Sequence, residues 1–178
     1  MKKILRCPVE NGSGGAPPNP TYKAKQAGPD RVQKQLRILV VDDDTAILRG
    51  IMRMSKLFGA EAATAGNGKE ALMILENDDK FDLILLDLNM PVMEGREVLR
   101  ALQKEGKQDL IEMIVVHSAT LEQDLDEDVK GLVEKRVLPK PSELKELRAL
   151  FSCAREGRLN EWRPPGGLIE KLKSRQDD

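Results

Sequence analysis

The strongest constraint on this chain is an alternation of two periods. Short apolar runs at residues 38–41, 81–86, 113–116 and 137–138 are interrupted only by Asp82, and a weaker run spans 61–65. Between them, apolar residues recur at helical spacing: Ile47, Leu48, Ile51, Met52 and Leu57, then Ala71, Leu72 and Leu75, then Val98, Leu99 and Leu102. A strand that is apolar at every position needs cover on both faces. Amphipathic helices supply that cover. The pattern therefore predicts an α/β fold with five β-α units, a parallel sheet and helices on both faces. Thr45 is placed to cap the first helix and Gly59 to end it. The other helices are expected over 69–76, 95–102, 121–135 and 142–155.

Charge locates the domain. Residues 1–37 carry eight basic and two acidic side chains, residues 38–155 sixteen and twenty-three, and residues 156–178 five of each. Residues 8–30 are rich in glycine and proline and offer almost nothing to a core. Residues 1–35 thus read as a disordered basic leader. The folded domain is placed at 36–155. Residues 156–178 read as a tail in which Leu168, Ile169 and Leu172 share one side of a short amphipathic helix, and Trp162 reads either as its anchor on the domain or as a contact for a partner. A net charge of -1 argues against a nucleic-acid-coating protein, whose phosphate partner demands a basic excess. No apolar run approaches the roughly 20 residues of a membrane helix. Arg6 and Pro8 interrupt the start before a secretory signal can form. Cys7 and Cys153 are too few for a disulfide framework. The expectation is a cytoplasmic protein without nucleic-acid or membrane partners.

In sheets of this kind, ligands bind beyond the carboxyl ends of the strands. The first strand ends in Asp42-Asp43-Asp44 and the third in Asp87, followed by Leu88-Asn89-Met90-Pro91. The fourth ends in His117-Ser118-Ala119 and the fifth in Pro139-Lys140-Pro141. A carboxylate such as Asp87 can act as a nucleophile towards a phosphoryl group. Clustered carboxylates repel phosphate unless a divalent cation intervenes, and Mg²⁺ suits a small set of oxygen ligands. Asp44 reads as a cap or turn residue. His117 precedes Ser118 by one position, so period two turns it to the other side of its strand, and it reads as packing. Cys153 reads as packing as well.

These residues resemble the receiver domain of two-component response regulators. The resemblance rests on Val40-Val41-Asp42-Asp43, Asp87-Leu88-Asn89-Met90-Pro91, Gly95, Ser118-Ala119 and Lys140-Pro141, in that order, over about residues 36–155. It implies a doubly wound, flavodoxin-like sheet of strand order 2-1-3-4-5. It implies that Asp87 is the phosphoacceptor, with Ser118 and Lys140 meeting the phosphoryl oxygens. It also implies Mg²⁺ held directly by Asp43 and Asp87, through water by Asp42, and by the backbone carbonyl of Asn89. A sensor histidine kinase, a phosphotransfer protein or a small phosphodonor would supply the phosphoryl group. Output would pass through a protein-protein contact. Enzymatic activity would be limited to autophosphorylation and autodephosphorylation at Asp87.

The chain departs from the family pattern in places. Val137 stands three residues before Lys140, where receivers often carry an aromatic residue. Residues 132–136 lack the common Gly-Ala turn. The expected fourth helix is acidic through Glu122, Asp124, Asp126, Glu127 and Asp128. The residues after Arg155 are too few for a helix-turn-helix output, so a stand-alone receiver with a protein-protein output, or an intermediate in a phosphorelay, is expected. Two alternatives belong to other classes. A phosphatase of the haloacid dehalogenase type needs a second aspartate two residues after the first, where this chain has Asn89. A pseudo-receiver that binds without phosphorylation would not need the complete acidic set.

Overall fold

The computed structural model describes residues 35–119, 126–133 and 136–163. Five strands form one sheet: β1 (Leu36–Val41), β2 (Ala60–Ala65), β3 (Leu83–Leu86), β4 (Ile114–Ser118) and β5 (Val137–Pro139). Their order is β2-β1-β3-β4-β5, and every neighbouring pair is parallel. The helices are α1 (Thr45–Leu57), α2 (Gly68–Asn77), α3 (Gly95–Lys104), α4 (Gln108–Glu112), α5 (Glu127–Val133) and α6 (Leu144–Arg155). The doubly wound parallel architecture is the one the apolar runs predict.

Burial explains the pattern. Leu39, Val41, Ile84, Leu86, Ile114 and Val116 form one core cluster with Ala71, Leu75, Val98, Leu99, Leu102, Val129 and Val133. The alternate strand residues Ile38, Val40, Leu83, Leu85 and Val115 are equally buried, and the period of two puts them on the opposite face. Neither α1 nor α6 contributes to the cluster, and both contact β1. Each fully buried Leu or Ile contributes about 1.5–3 kcal/mol relative to exposure.

The differences from the sequence pattern have local causes. Asp44, not Thr45, caps α1: its carboxylate accepts from the amides of Ala46 and Ile47. Gly59 ends that helix with a φ of 65°, a conformation that costs glycine little. β1 starts at Leu36, which is buried and pairs with Ala60. β3 starts at Leu83 and not at 81, because Asp82 turns its backbone and carboxylate to Arg37. Phe81 lies under the Arg37 guanidinium instead, 5.1 Å from it. β4 runs on to Ser118, because His117 and Ser118 are buried despite their polarity. α4 has too few residues for a visible period. Of the helix expected over 121–135, α5 supplies Glu127–Val133 and Asp126 precedes it, while 121–125 and 134–135 lie outside the described residues. The leader up to residue 34 and the short helix expected near 168–172 lie outside them too.

Beyond α6, a 3-10 turn spans Leu159–Glu161. Leu159 and Trp162 are buried there, Trp162 with only 2% exposure. Trp162→Ala is therefore expected to lower the unfolding free energy by about 3 kcal/mol. A urea titration showing a loss below about 1 kcal/mol would remove Trp162 from the core.

Candidate functional site

β1 and β3 lie side by side with Val41 opposite Leu86, so both strands end at one level. The next residues, Asp42 and Asp87, stand together at that rim. Their backbones are held by the last strand bonds: the Asp42 amide donates to the Ala65 carbonyl at 3.1 Å, and the Asp87 amide to Val41 at 2.9 Å. Asp43 joins them from the exposed side. One carboxylate oxygen from each of Asp42, Asp43 and Asp87 lies within 4.8 Å of the others. Asp42 and Asp87 are buried, with 1% and 6% exposure. Asp44 is used up as the α1 cap, and its amide donates to Asp42 Oδ1 at 3.0 Å.

A close approach fixes the far side. The Gly95 amide donates to the Leu88 carbonyl at 3.0 Å. A Cβ on Gly95 would fall 2.1 Å from the Asp87 carbonyl oxygen. Only glycine lets α3 begin against the strand end that carries Asp87.

Lys140 closes the cluster from β5. Its ammonium lies 2.6 Å from Asp87 Oδ2 and 2.7 Å from Asp42 Oδ2. Its amide donates to the Ser118 carbonyl at 3.0 Å, which ties the Lys140 backbone to the end of β4. Burial pushes the Asp42 carboxyl up, against the opposing pull of Lys140. Burial also works against the Lys140 ammonium, but Asp42 and Asp87 outweigh it and raise its pKa. Asp42 Oδ2 still accepts no well-aligned hydrogen bond among the described residues. Its contact with Lys140 is charge pairing without the directionality of a bond.

The remaining expected residues are placed as follows. The Asn89 amide donates to Asp87 Oδ1 at 3.3 Å, which sets Asn89 beside the cluster. Its side-chain oxygen accepts from Arg96 Nη1 at 3.1 Å. Ser118 is fully buried as the last residue of β4, opposite Pro139. His117 has its Nε2 3.1 Å from Ser142 Oγ. Burial, with help from Lys140, pushes its pKa down to about 4, so the ring is neutral at pH 7. Sequence reasoning missed Arg96. No local period distinguishes it from other helix-surface arginines.

The cluster fits a small divalent cation. Every donor is a hard oxygen, three carboxylates crowd together, and the buried Asp42 Oδ2 accepts no well-aligned hydrogen bond among the described residues.

The comparisons agree with this geometry. The family profile for the response regulator receiver domain matches residues 38–152. The chain belongs to that family. The response regulator MprA of Mycolicibacterium vanbaalenii is 37% identical over 116 residues, which cover 64% of this chain and 48% of the relative. The chain thus spans about half the length of that relative. A CheY-like receiver domain from Methanospirillum hungatei superposes with a TM-score of 0.57 and 26% identity, over 72% of this chain and 99% of the other. The Thermotoga maritima response regulator TrrA, solved in complex with Mg²⁺-BeF, gives 0.56 and 27%, over 67% and 99%. Among the described residues, no helix of this receiver is long and apolar enough to cross a membrane.

Two outcomes test the packing of the site. Gly95→Ala is expected to destabilise this receiver by about 2 kcal/mol or more through the clash with the Asp87 carbonyl. Wild-type stability in urea would rule out that contact. His117 is held neutral when folded, with a pKa near 4 against about 6.5 unfolded. Below pH 6.5 the unfolded chain takes up a proton that the native ring refuses. Stability should therefore fall from about pH 6.5 to about pH 4, by up to about 3 kcal/mol relative to His117→Asn. Parallel pH profiles for the two proteins would contradict the buried neutral ring.

Proposed function

We propose that this receiver stores a phosphoryl group on Asp87 and passes the signal on through a protein contact. The convergence of three carboxylates at one strand rim, with Lys140 bridging two of them, supports the reading most strongly. A carboxylate oxygen of Asp87 attacks the phosphorus of a phosphohistidine or of a small acyl phosphate. The bond from phosphorus to the donor breaks, and its electron pair leaves with the imidazole or carboxylate. The product is an acyl phosphate on Asp87.

Mg²⁺ bound by Asp43, Asp87 and the Asn89 carbonyl, and through water by Asp42, would supply charge neutralisation at the phosphoryl oxygens. The Lys140 ammonium exchanges its carboxylate partners for a phosphoryl oxygen. The Ser118 hydroxyl donates a hydrogen bond to another. Asn89, where a hydrolase of the dehalogenase type carries its second acid, supports storage over turnover. A sensor histidine kinase or phosphotransfer protein is the natural donor, and the cytoplasm the matching compartment. The output partner is assigned as a protein rather than a nucleic acid on charge, since residues 38–155 carry twenty-three acidic and sixteen basic side chains. The receiver unit is assigned to 36–155, between a leader of 1–35 and a tail of 156–178.

Incubation with acetyl phosphate and Mg²⁺ should add one base-labile phosphoryl group, and none to Asp87→Asn. Phosphate recovered on His117 or a serine would contradict the assignment. A Mg²⁺ titration should give millimolar affinity, roughly -4 kcal/mol. Asp43→Ala should weaken it about tenfold or more. Asp44→Ala should leave it nearly unchanged and cost about 1 kcal/mol of stability through the lost cap. Equal losses of affinity in the two variants would misplace the metal ligands within the aspartate run.

A further inference from the structure

We propose that Arg96 is a positioning residue that straps the rim of the phosphoacceptor site to the first turn of α5, so that charge arriving at Asp87 loosens α5. The inference rests on the proposed phosphorylation of Asp87 and adds the route by which it reaches the surface.

The strap can be followed atom by atom. The Asn89 amide donates to Asp87 Oδ1, and Asn89 Oδ1 accepts from Arg96 Nη1 at 3.1 Å. Arg96 Nε lies 3.8 Å from Asp126 Oδ2, and Arg96 Nη1 lies 3.6 Å from Glu94. The same Asp126 oxygen accepts from Arg100 Nη2 at 2.7 Å. Arg100 Nε then donates to Asp128 Oδ2 at 2.8 Å, within α5. Arg96 and Arg100 are four residues apart on α3 and share one face. Two like charges at that spacing repel, and Asp126 between them offsets the repulsion. The Arg96 side chain is only 18% exposed, so its charge is less screened than that of a surface arginine.

The contacts are unequal, and the inequality gives the direction. Arg100 holds Asp126 at hydrogen-bond distance; Arg96 holds it only as a longer ion pair. A phosphoryl group brings Asp87 close to two negative charges. Arg96 already touches the residue whose amide contacts Asp87, and its ion pairs at 3.6 and 3.8 Å are long, so it can lean towards the new charge. Asp126 then keeps Arg100 alone, and the first turn of α5, acidic at Glu127 and Asp128, loses part of its neutralisation. An arginine suits this role because its fork reaches two acceptors at once, whereas lysine offers a single point charge. With Val137 in place of an aromatic side chain, β5 offers no ring to report the change.

Amide exchange at residues 127–133 tests the strap in two arms. In the unmodified full chain, Arg96→Gln should speed exchange in the first turn of α5 roughly two- to fivefold, the scale of one partly exposed ion pair. Asp126→Asn, which also removes the Arg100 contact, should speed it at least as much, and adding Arg96→Gln to it should go little further, since the Arg96–Asp126 pair is then already broken. Unchanged exchange in Arg96→Gln would overturn the strap whether or not Asp87 is ever phosphorylated. In the second arm, acetyl phosphate and Mg²⁺ are added and proteins are compared at equal acyl-phosphate occupancy. The wild type should show the same acceleration, and Arg96→Gln no further one. An equal response in the variant, or none in a phosphorylated wild type, would overturn the coupling. Absence of acyl phosphate on Asp87 would instead overturn the proposed function, and with it the coupling, while the first arm still decides the strap.

Discussion

Three carboxylates and one ammonium meet at the end of an apolar sheet, and the rest of the molecule serves to hold them there. Like charges about 4 Å apart near a protein surface repel by roughly 4 kcal/mol, and burial makes isolated charges costlier still. Asp42 and Asp87 tolerate this because Lys140 lies within 2.7 Å of both. Among the described residues Asp42 Oδ2 accepts no well-aligned hydrogen bond, whereas Asp42 Oδ1 and both Asp87 oxygens do. That condition supports the proposed binding of a divalent cation, and with it of a phosphoryl group.

The scaffold's contribution is positional. The register of β1 against β3 puts Asp42 and Asp87 at one level. Gly95 lets α3 abut the Asp87 carbonyl. The Lys140 amide is fixed on the Ser118 carbonyl, so the lysine cannot drift from the rim without breaking the end of the sheet. His117 is buried, with its ring neutral at pH 7 and set beside Ser142. The ionic contacts of Arg96 and Arg100 carry the same electrostatics outward to α5.

Much of this was legible in the residues before any coordinates. Runs such as Ile38-Leu39-Val40-Val41 announce buried strands, because nothing else accommodates four apolar residues between amphipathic helices. The rim residues are legible because each follows such a run. What escaped was tertiary. The polar His117 and Ser118 extend β4 because the sheet buries them, which a hydrophobic pattern does not register. The α1 cap was half legible: the sequence offers Asp44 and Thr45 alike, and Asp44 takes the position. Arg96 and Asp126 are thirty residues apart, with no period to connect them. Trp162 is buried just after the 3-10 turn at Leu159–Glu161, a turn that no period in the sequence announces.

The proposed phosphoacceptor site requires a divalent cation at carboxylates that Lys140 already occupies, so the two must compete for Asp42 and Asp87. A calorimetric Mg²⁺ titration of wild type and Lys140→Met at pH 8 tests it most directly. Removing the ammonium takes away a positive charge that repels the metal and occupies Asp42 and Asp87. The account predicts affinity at least severalfold tighter in the variant, equivalent to about 1 kcal/mol or more. Equal or weaker binding would mean that Lys140 supports the metal site instead of opposing it, and the electrostatic account of this receiver would be wrong.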